Sequence, residues 1–212
     1  PRLTELTGFE SIAVTRVVNN NAKLYANKAE GFVGINLKKE DNAELICECS
    51  DLSEIIVIRK DGKYVVTKVS EKAFFGKDIL YAGVFDRNDQ RTIYNVIYRE
   101  GKTSVSYAKR FAVTSVTRDK EYDITQGTPG SVILWFTVNH NAEAETVKIY
   151  YRQRPKLKKL IDEYDFSQLL IKGRASRGNL VSKNSIQKIL LKSKGVSTMG
   201  GKDIWFDEDI QR

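Results

Sequence analysis

Lysine and arginine recur at the tight turns of this chain, in "RKDGK" at Arg59–Lys63, "REGK" at Arg99–Lys102 and "KGRASRG" at Lys172–Gly178. A cation at a hairpin tip blunts a strand edge against aggregation. When several tips share a surface, the same cations contact successive phosphates of a nucleic acid and release its condensed counterions. The candidate phosphate contacts are therefore Arg59, Lys60, Lys63, Arg99, Lys102, Lys172, Arg174, Arg177 and Lys183, with Lys109, Arg110, Arg152, Arg154 and Lys188 as further additions. Charge is unevenly spread. The chain carries 35 basic and 27 acidic residues, yet residues 1–54 hold 6 basic and 9 acidic side chains, whereas Lys148 to Lys202 holds 14 and 3. An ordinary solvated face mixes the signs, so this excess places a positive field on one part of the surface and favours an anionic partner.

Other chemistries find little support. Cys47 and Cys49 alternate onto one side of a strand and read as buried, reduced thiols; with His140 alone for imidazole they cannot complete a zinc site. His140 sits in the polar turn "NHNAE" with no serine or cysteine beside it and reads as an exposed loop residue. The carboxylates of "DEYDF" and "WFDEDI" read as caps and a solvated terminus, not as an acid–base pair or a metal site. "GRASRGN" joins two strands and opens no helix, unlike a phosphate cradle. Most of the ten tyrosines and nine phenylalanines lie within apolar runs and read as core, not as stacking platforms for single strands. No apolar run approaches the ~20 residues of a membrane-spanning helix.

The elements that must position these cations are strands. Five stretches each join two runs rich in Val, Ile and Tyr across a polar turn: Lys23–Leu37, Ile55–Val69, Ile93–Phe111, Val132–Tyr151 and Leu169–Ile189. Turn glycines Gly31, Gly62, Gly101 and Gly178, with Asn139 and His140 midway across the last gap, suggest a period near 39 residues. "FGKDIL" at Phe75–Leu80 returns as "GGKDIW" ending at Trp205. Only "RPKLKKLIDEYDF" offers a short helix or linker. The expectation is an all-β, propeller-like array of about five hairpin-based blades; two stacked sandwiches would leave a fixed period unexplained.

The longer phrases carry a resemblance. "GKYVVTKV", residues 91–131 and residues 171–209 resemble the C-terminal domain of the A subunit of bacterial type IIA topoisomerases, gyrase or topoisomerase IV, and the likeness runs from about Ala22 onward. It implies a β-pinwheel, a ring or spiral of blades that trade strands, with residues 1–212 forming a single C-terminal domain of a larger subunit. It also implies that duplex DNA is bound along a cationic outer edge, bent or wrapped, and presented to a cleavage core. The domain itself would be non-catalytic and hold no cofactor. The breakage-reunion domain would carry the nucleophilic tyrosine, and the B subunit would handle ATP and Mg²⁺ in a heterotetramer. The expected setting is the cytoplasm, on the nucleoid, with the isolated domain monomeric. Gyrase proper carries a Gln-Arg-Arg-Gly-Gly-Lys-Gly box after its first blade's hairpin. Here that region reads "NLKKEDNAELICECSD", and the nearest phrase is "TMGGKD" at Thr198–Asp203, so the likeness is closer to topoisomerase IV. The rival function is a protein-interaction propeller that never touches DNA.

Overall fold

The computed structural model describes residues 21–38, 42–155 and 157–200 of the chain. Within them the strands are β1 (Ala22–Asn27), β2 (Phe32–Gly34), β3 (Glu44–Cys49), β4 (Glu54–Arg59), β5 (Lys63–Lys68), β6 (Ala73–Phe74), β7 (Ile79–Phe85) and β8 (Ile93–Arg99). They continue with β9 (Ser106–Ala112), β10 (Glu121–Asp123), β11 (Val132–Asn139), β12 (Thr146–Tyr151), β13 (Ile161–Asp165), β14 (Ile171–Gly173), β15 (Asn179–Ser182) and β16 (Ile186–Ser193). Among the described residues there is no α-helix, only a 3-10 turn at Phe166–Gln168 that Asp165 caps by accepting from the Ser167 amide.

The strands form four small sheets that obey one rule. Each is centred on a hairpin: β1–β2, β4–β5, β8–β9 and β12–β13. The first strand of the hairpin also pairs with a later strand of its own unit, which is β3, β7, β11 or β16. The second strand receives a strand returned from the following unit: β6 on β2, β10 on β5, and both β14 and β15 on β9. Only β13 receives none among the described residues. The all-β, strand-trading array expected of a pinwheel is borne out, but the described residues form four blades and not the expected five, because two of the five stretches that read as hairpins pair otherwise.

Three hydrophobic cores lie between successive sheets, and the sequence shows why. The run Ile55-Ile56-Val57-Ile58 is at most 1% exposed because both faces of β4 are covered. Ile55 and Val57 enter the core shared with the first sheet, whereas Ile56 and Ile58 enter the core shared with the third. β8 divides likewise, sending Tyr94, Val96 and Tyr98 toward the second sheet and Ile97 toward the fourth. A continuous apolar strand thus marks an inner layer. Buried Tyr64, Tyr94, Tyr98 and Phe111 confirm that these aromatics serve the core.

Pairing departs from expectation in three places. Val132–Tyr151 is not a hairpin: β11 completes the third sheet, β12 opens the fourth, and residues 140–145 cross between them. Leu169–Ile189 is not one either, since β14 runs parallel to Arg110–Ala112 while β15 runs antiparallel to Ser106–Ala108, end to end along the same edge of β9. Apolar alternation reveals a strand but not the partner it takes. The segment "RPKLKKLIDEYDF", read as a short helix or linker, instead supplies, in its described residues, part of the tip and the second strand of the fourth hairpin, which sets Tyr164 opposite Val147 in the third core. The four hairpins begin at Ala22, Glu54, Ile93 and Thr146, so the repeat is real but its length is not fixed. The second copy of "FGKDIL" lies outside the described residues apart from Gly200.

Candidate nucleic-acid interface

Two connecting segments staple the hairpin tips into a row. Phe75 donates its amide to the Gly31 carbonyl (2.8 Å), Ile79 donates to Lys28 (2.9 Å), and Lys60 donates to Asp78 (3.0 Å), so residues 75–79 tie the first tip to the second. Residues 124–133 repeat the device between the second and third tips. Ile124 donates to Gly62 (2.7 Å), Ile133 donates to Lys60 (2.8 Å), and the Gly101 amide donates to Ser131 Oγ (3.1 Å). Two tip glycines owe their identity to this stapling. A Cβ on Gly31, whose φ is +86°, would stand 2.1 Å from the Gly76 carbonyl oxygen, and one on Gly101 would stand 2.0 Å from that of Pro129.

The β14–β15 loop lies against the same segment. Gln126 Nε2 donates to the Ala175 carbonyl (3.1 Å), the Arg174 guanidinium lies 4.1 Å from the Tyr122 ring centroid, and that of Arg177 lies 4.5 Å from Tyr107. Arg177 also faces Glu100 of the third tip at 3.6 Å. Arg59, Lys60, Lys63, Arg99, Lys102, Arg174 and Arg177 therefore belong to one contiguous region, joined through residues 121–133.

Its charges are not equally available. Arg59 donates to Asp61 and Glu121 (2.9 and 3.0 Å) and to the Phe75 carbonyl (2.9 Å), while Lys63 meets Glu121 at 2.7 Å, a bond that raises the lysine's pKa. Lys60, Arg99 and Lys102 have no ion pair among the described residues. Lys172 bonds Asn179, Lys183 is exposed in the β15–β16 turn, and Lys188 lies 4.7 Å from the Tyr150 ring.

Two candidates are not surface groups at all. Lys109 and Arg110 are each 1% exposed. The Lys109 ammonium donates to the carbonyls of Ile124, Arg174 (2.6 Å) and Ser176 (3.1 Å). Burial, with Lys172 nearby, pushes its pKa down to about 8. Arg110 donates to Asn95 Oδ1 (3.0 Å), Thr198 Oγ1 (2.9 Å) and the Ala142 carbonyl (2.7 Å). Asn95 in turn donates to buried Glu145 (2.6 Å), which also accepts from Trp135 Nε1 (3.1 Å). Neighbours on a strand face opposite ways, and these two clamp β9 to the sheets on either side. In this fold neither meets a phosphate.

The tip of the fourth hairpin is the most open. Arg152, Arg154 and Lys158 are exposed and unpaired among the described residues, and only Lys159 finds an acid, Asp162 at 2.7 Å. Arg152 and Arg154 were legible as cations but not as a tip, and Lys158 was missed because its phrase read as a helix. Tyr107 and Tyr122 were also missed, because the arginines that stack on them, Arg177 and Arg174, lie far along the chain. Cys49 is buried as expected, whereas Cys47 is only half-buried, and burial raises both thiols. His140 is exposed, with Nδ1 3.2 Å from Thr92 Oγ1.

Fold and surface together define a blade-built, strand-trading β module with cationic tips. The chain belongs to the topoisomerase C-terminal domain family of Bacteroidota, whose family model matches residues 23–194. The A subunit of DNA topoisomerase 4 from Borreliella burgdorferi is 28% identical over 192 residues, which are 90% of this chain but 28% of that protein. A crystal structure of the C-terminal domain of DNA topoisomerase IV aligns with a TM-score of 0.48 at 11% identity, covering 81% of this chain and 62% of that one.

Proposed function

We propose that this chain is a duplex-holding, non-catalytic part of a type IIA topoisomerase A subunit. It grips DNA by phosphates across the hairpin tips and the β14–β15 loop, and bends or wraps it toward a cleavage core. The convergence of Lys60, Arg99, Lys102, Arg174 and Arg177 on one stapled region supports this reading. Backbone contacts position a duplex without reading its bases, so binding is indifferent to sequence. Bending 20–30 bp costs of order 1–6 kcal/mol, which contacts along several blades offset. With no double-arginine box in residues 36–51, topoisomerase IV-like relaxation and decatenation fit better than gyrase-type wrapping. In the parent enzyme its partners are the breakage-reunion domain and the B subunit, with ATP and Mg²⁺ used in those other parts. Work on the nucleoid sets it in the cytoplasm. Among the described residues no helix is long and apolar enough to cross a membrane.

The test is binding of the chain to two unrelated linear 40-bp duplexes across a salt series. A variant with Lys60, Arg99, Lys102, Arg152 and Arg154 changed to Ala is measured beside it. Equal affinity for both duplexes is expected, with a slope of log K against log salt that drops by about 4.5 in the variant, some 0.9 per phosphate. A slope identical in both proteins would move DNA off the tips. An absence of binding at low salt would leave the interaction scaffold as the better account.

A further inference from the structure

Lys109 is a buried ammonium with no carboxylate against it. Its acceptors are backbone carbonyls, and two of the three, Arg174 and Ser176, belong to the loop between β14 and β15. The carbonyl between them, that of Ala175, accepts from Gln126. Three consecutive carbonyl oxygens of this loop are thus engaged, and its two guanidinium groups are anchored as well, Arg174 Nη1 donating to the Thr114 and Ser115 carbonyls (2.9 and 3.1 Å) and Arg177 Nη2 to the Tyr107 hydroxyl. Each guanidinium is stacked on a tyrosine of a neighbouring strand: Arg174 on Tyr122 of β10 and Arg177 on Tyr107 of β9. Those rings are themselves held by stacking, Tyr122 on Tyr64 at 5.5 Å and Tyr107 on Tyr98 at 5.7 Å. The Tyr98 hydroxyl also accepts from the Gly178 amide at 3.2 Å, which fixes the loop's far end.

The β-pairing shows why the loop has this shape. β15 uses β9 up to Ala108, and β14 uses it from Arg110, so the chain must arch over the position between them. That position is Lys109. An arched loop has carbonyls that neither strand can satisfy, and a buried ammonium offers three donors at once. The ammonium satisfies carbonyls that would otherwise be left unmatched, and its own desolvation shows in its lowered pKa.

We propose that the Gly173–Gly178 loop is a pre-organised two-arginine grip for neighbouring phosphates of a duplex, and that Lys109 is the positioning residue that sets it. The ligand class rests on the DNA reading above; the positioning role does not. An arginine already stacked and anchored loses less side-chain freedom when it meets a phosphate than a free one does. Lys109 acts from beneath and touches no DNA.

The experiment has two arms on the same proteins. In the first, the arginine Nε–H resonances of the free chain are recorded by NMR. Wild type is expected to show two ring-shifted, slowly exchanging signals from Arg174 and Arg177, and Lys109→Met is expected to lose both. In the second, affinity for a 40-bp duplex is measured in a cycle of Lys109→Met with the double variant Arg174→Ala/Arg177→Ala. The double variant is expected to lower the salt slope by about 1.8. Lys109→Met is expected to weaken binding about tenfold in the wild-type background and less than about twofold in the double variant, the coupling expected of residues that act as one unit. An equal loss in both backgrounds, or arginine signals unmoved by Lys109→Met, would overturn the assignment. Should Lys109→Met fail to fold, Lys109→Gln keeps a donor and replaces it; if neither folds, Lys109 holds the fold and not the loop, and the assignment falls. Duplex affinity and salt slope unchanged in the double variant, beside normal NMR behaviour, would defeat the grip while leaving the positioning of the loop standing. If wild type fails to bind duplex at all, the DNA reading itself falls and takes the grip with it.

Discussion

Lys109–Arg110 on β9 and Arg152–Arg154 at the fourth hairpin tip are two basic pairs that composition cannot tell apart. The first is 1% exposed at both residues and spends its donors on carbonyls and an asparagine that bind three sheets together. The second stands in solvent with no acid against it among the described residues. Arg59 falls between them, partly exposed but enclosed by Asp61 and Glu121. The lesson is that net charge along a segment overstates what a polyanion meets. Only a cation that keeps some of its N–H donors free adds to phosphate binding; Arg59 has engaged its Nε, Nη1 and Nη2, and by that measure the fourth tip counts for more than the second.

The comparison breaks first at Arg110. Replacing it with Ala strands buried Glu145 and Asn95 without their cation, and removing one partner of a buried charge network costs about 3–5 kcal/mol. The urea midpoint is expected to fall accordingly, while the salt slope of duplex binding stays at the wild-type value under conditions where the variant is folded. A lower slope would mean that Arg110 reaches DNA after all. Next in size, Arg152→Ala/Arg154→Ala/Lys158→Ala is expected to cut the slope by about 2.7 with little change in stability. If Arg59→Ala/Lys63→Ala cuts it by about 1.8, the full amount for two phosphate contacts, pairing with Asp61 and Glu121 does not silence a cation and the distinction fails.

What the sequence disclosed follows the same division between local and long-range pairing. The hairpins β1–β2, β4–β5 and β8–β9 were legible because each closes over a short turn whose residues name it. β14 and β15 were legible as strands, but their partner is β9, far earlier in the chain, and alternation says nothing about that. The fourth tip was hidden for a related reason: Pro155 and a run of lysines look like a linker until β13 is seen pairing with β12. Of the candidate cations, those at the second and third tips were found together as expected. The burial of Lys109 and Arg110 was illegible because it depends on carbonyls supplied by residues 124, 142, 174 and 176.

A third measurement concerns Glu54, whose carboxylate is shared by Arg87 and Arg118 and is only 12% exposed. Hydrogen bonds from Arg87, then Arg118, hold its pKa below the usual carboxylate value, against the opposing effect of burial. A depressed carboxylate contributes stability that is complete above its unfolded pKa and disappears as pH falls through the lower folded value. Glu54→Gln is therefore expected to be less stable than wild type by about 1.5 kcal/mol at neutral pH. The gap should close below the folded pKa. Parallel stability curves down to acid would show that the two arginines do not depend on the charge.

The smallest effect is the most direct test of the comparison, because it converts a silenced tip into an open one. Glu121 pairs with both Arg59 and Lys63 and is about half exposed. Glu121→Gln should therefore cost less than about 1 kcal/mol of stability, as exposed ion pairs do. It keeps the shape of the side chain and releases Lys63 fully, while Arg59 retains Asp61. If pairing is what separates the second tip from the fourth, this variant should bind duplex more tightly than wild type, with the salt slope rising by about 0.9 for one new phosphate contact and by no more than about 1.8. A tighter complex with an unchanged slope would point to general charge attraction and not to a new contact. Unchanged affinity would place the second tip off the DNA path and leave the third and fourth tips to carry it.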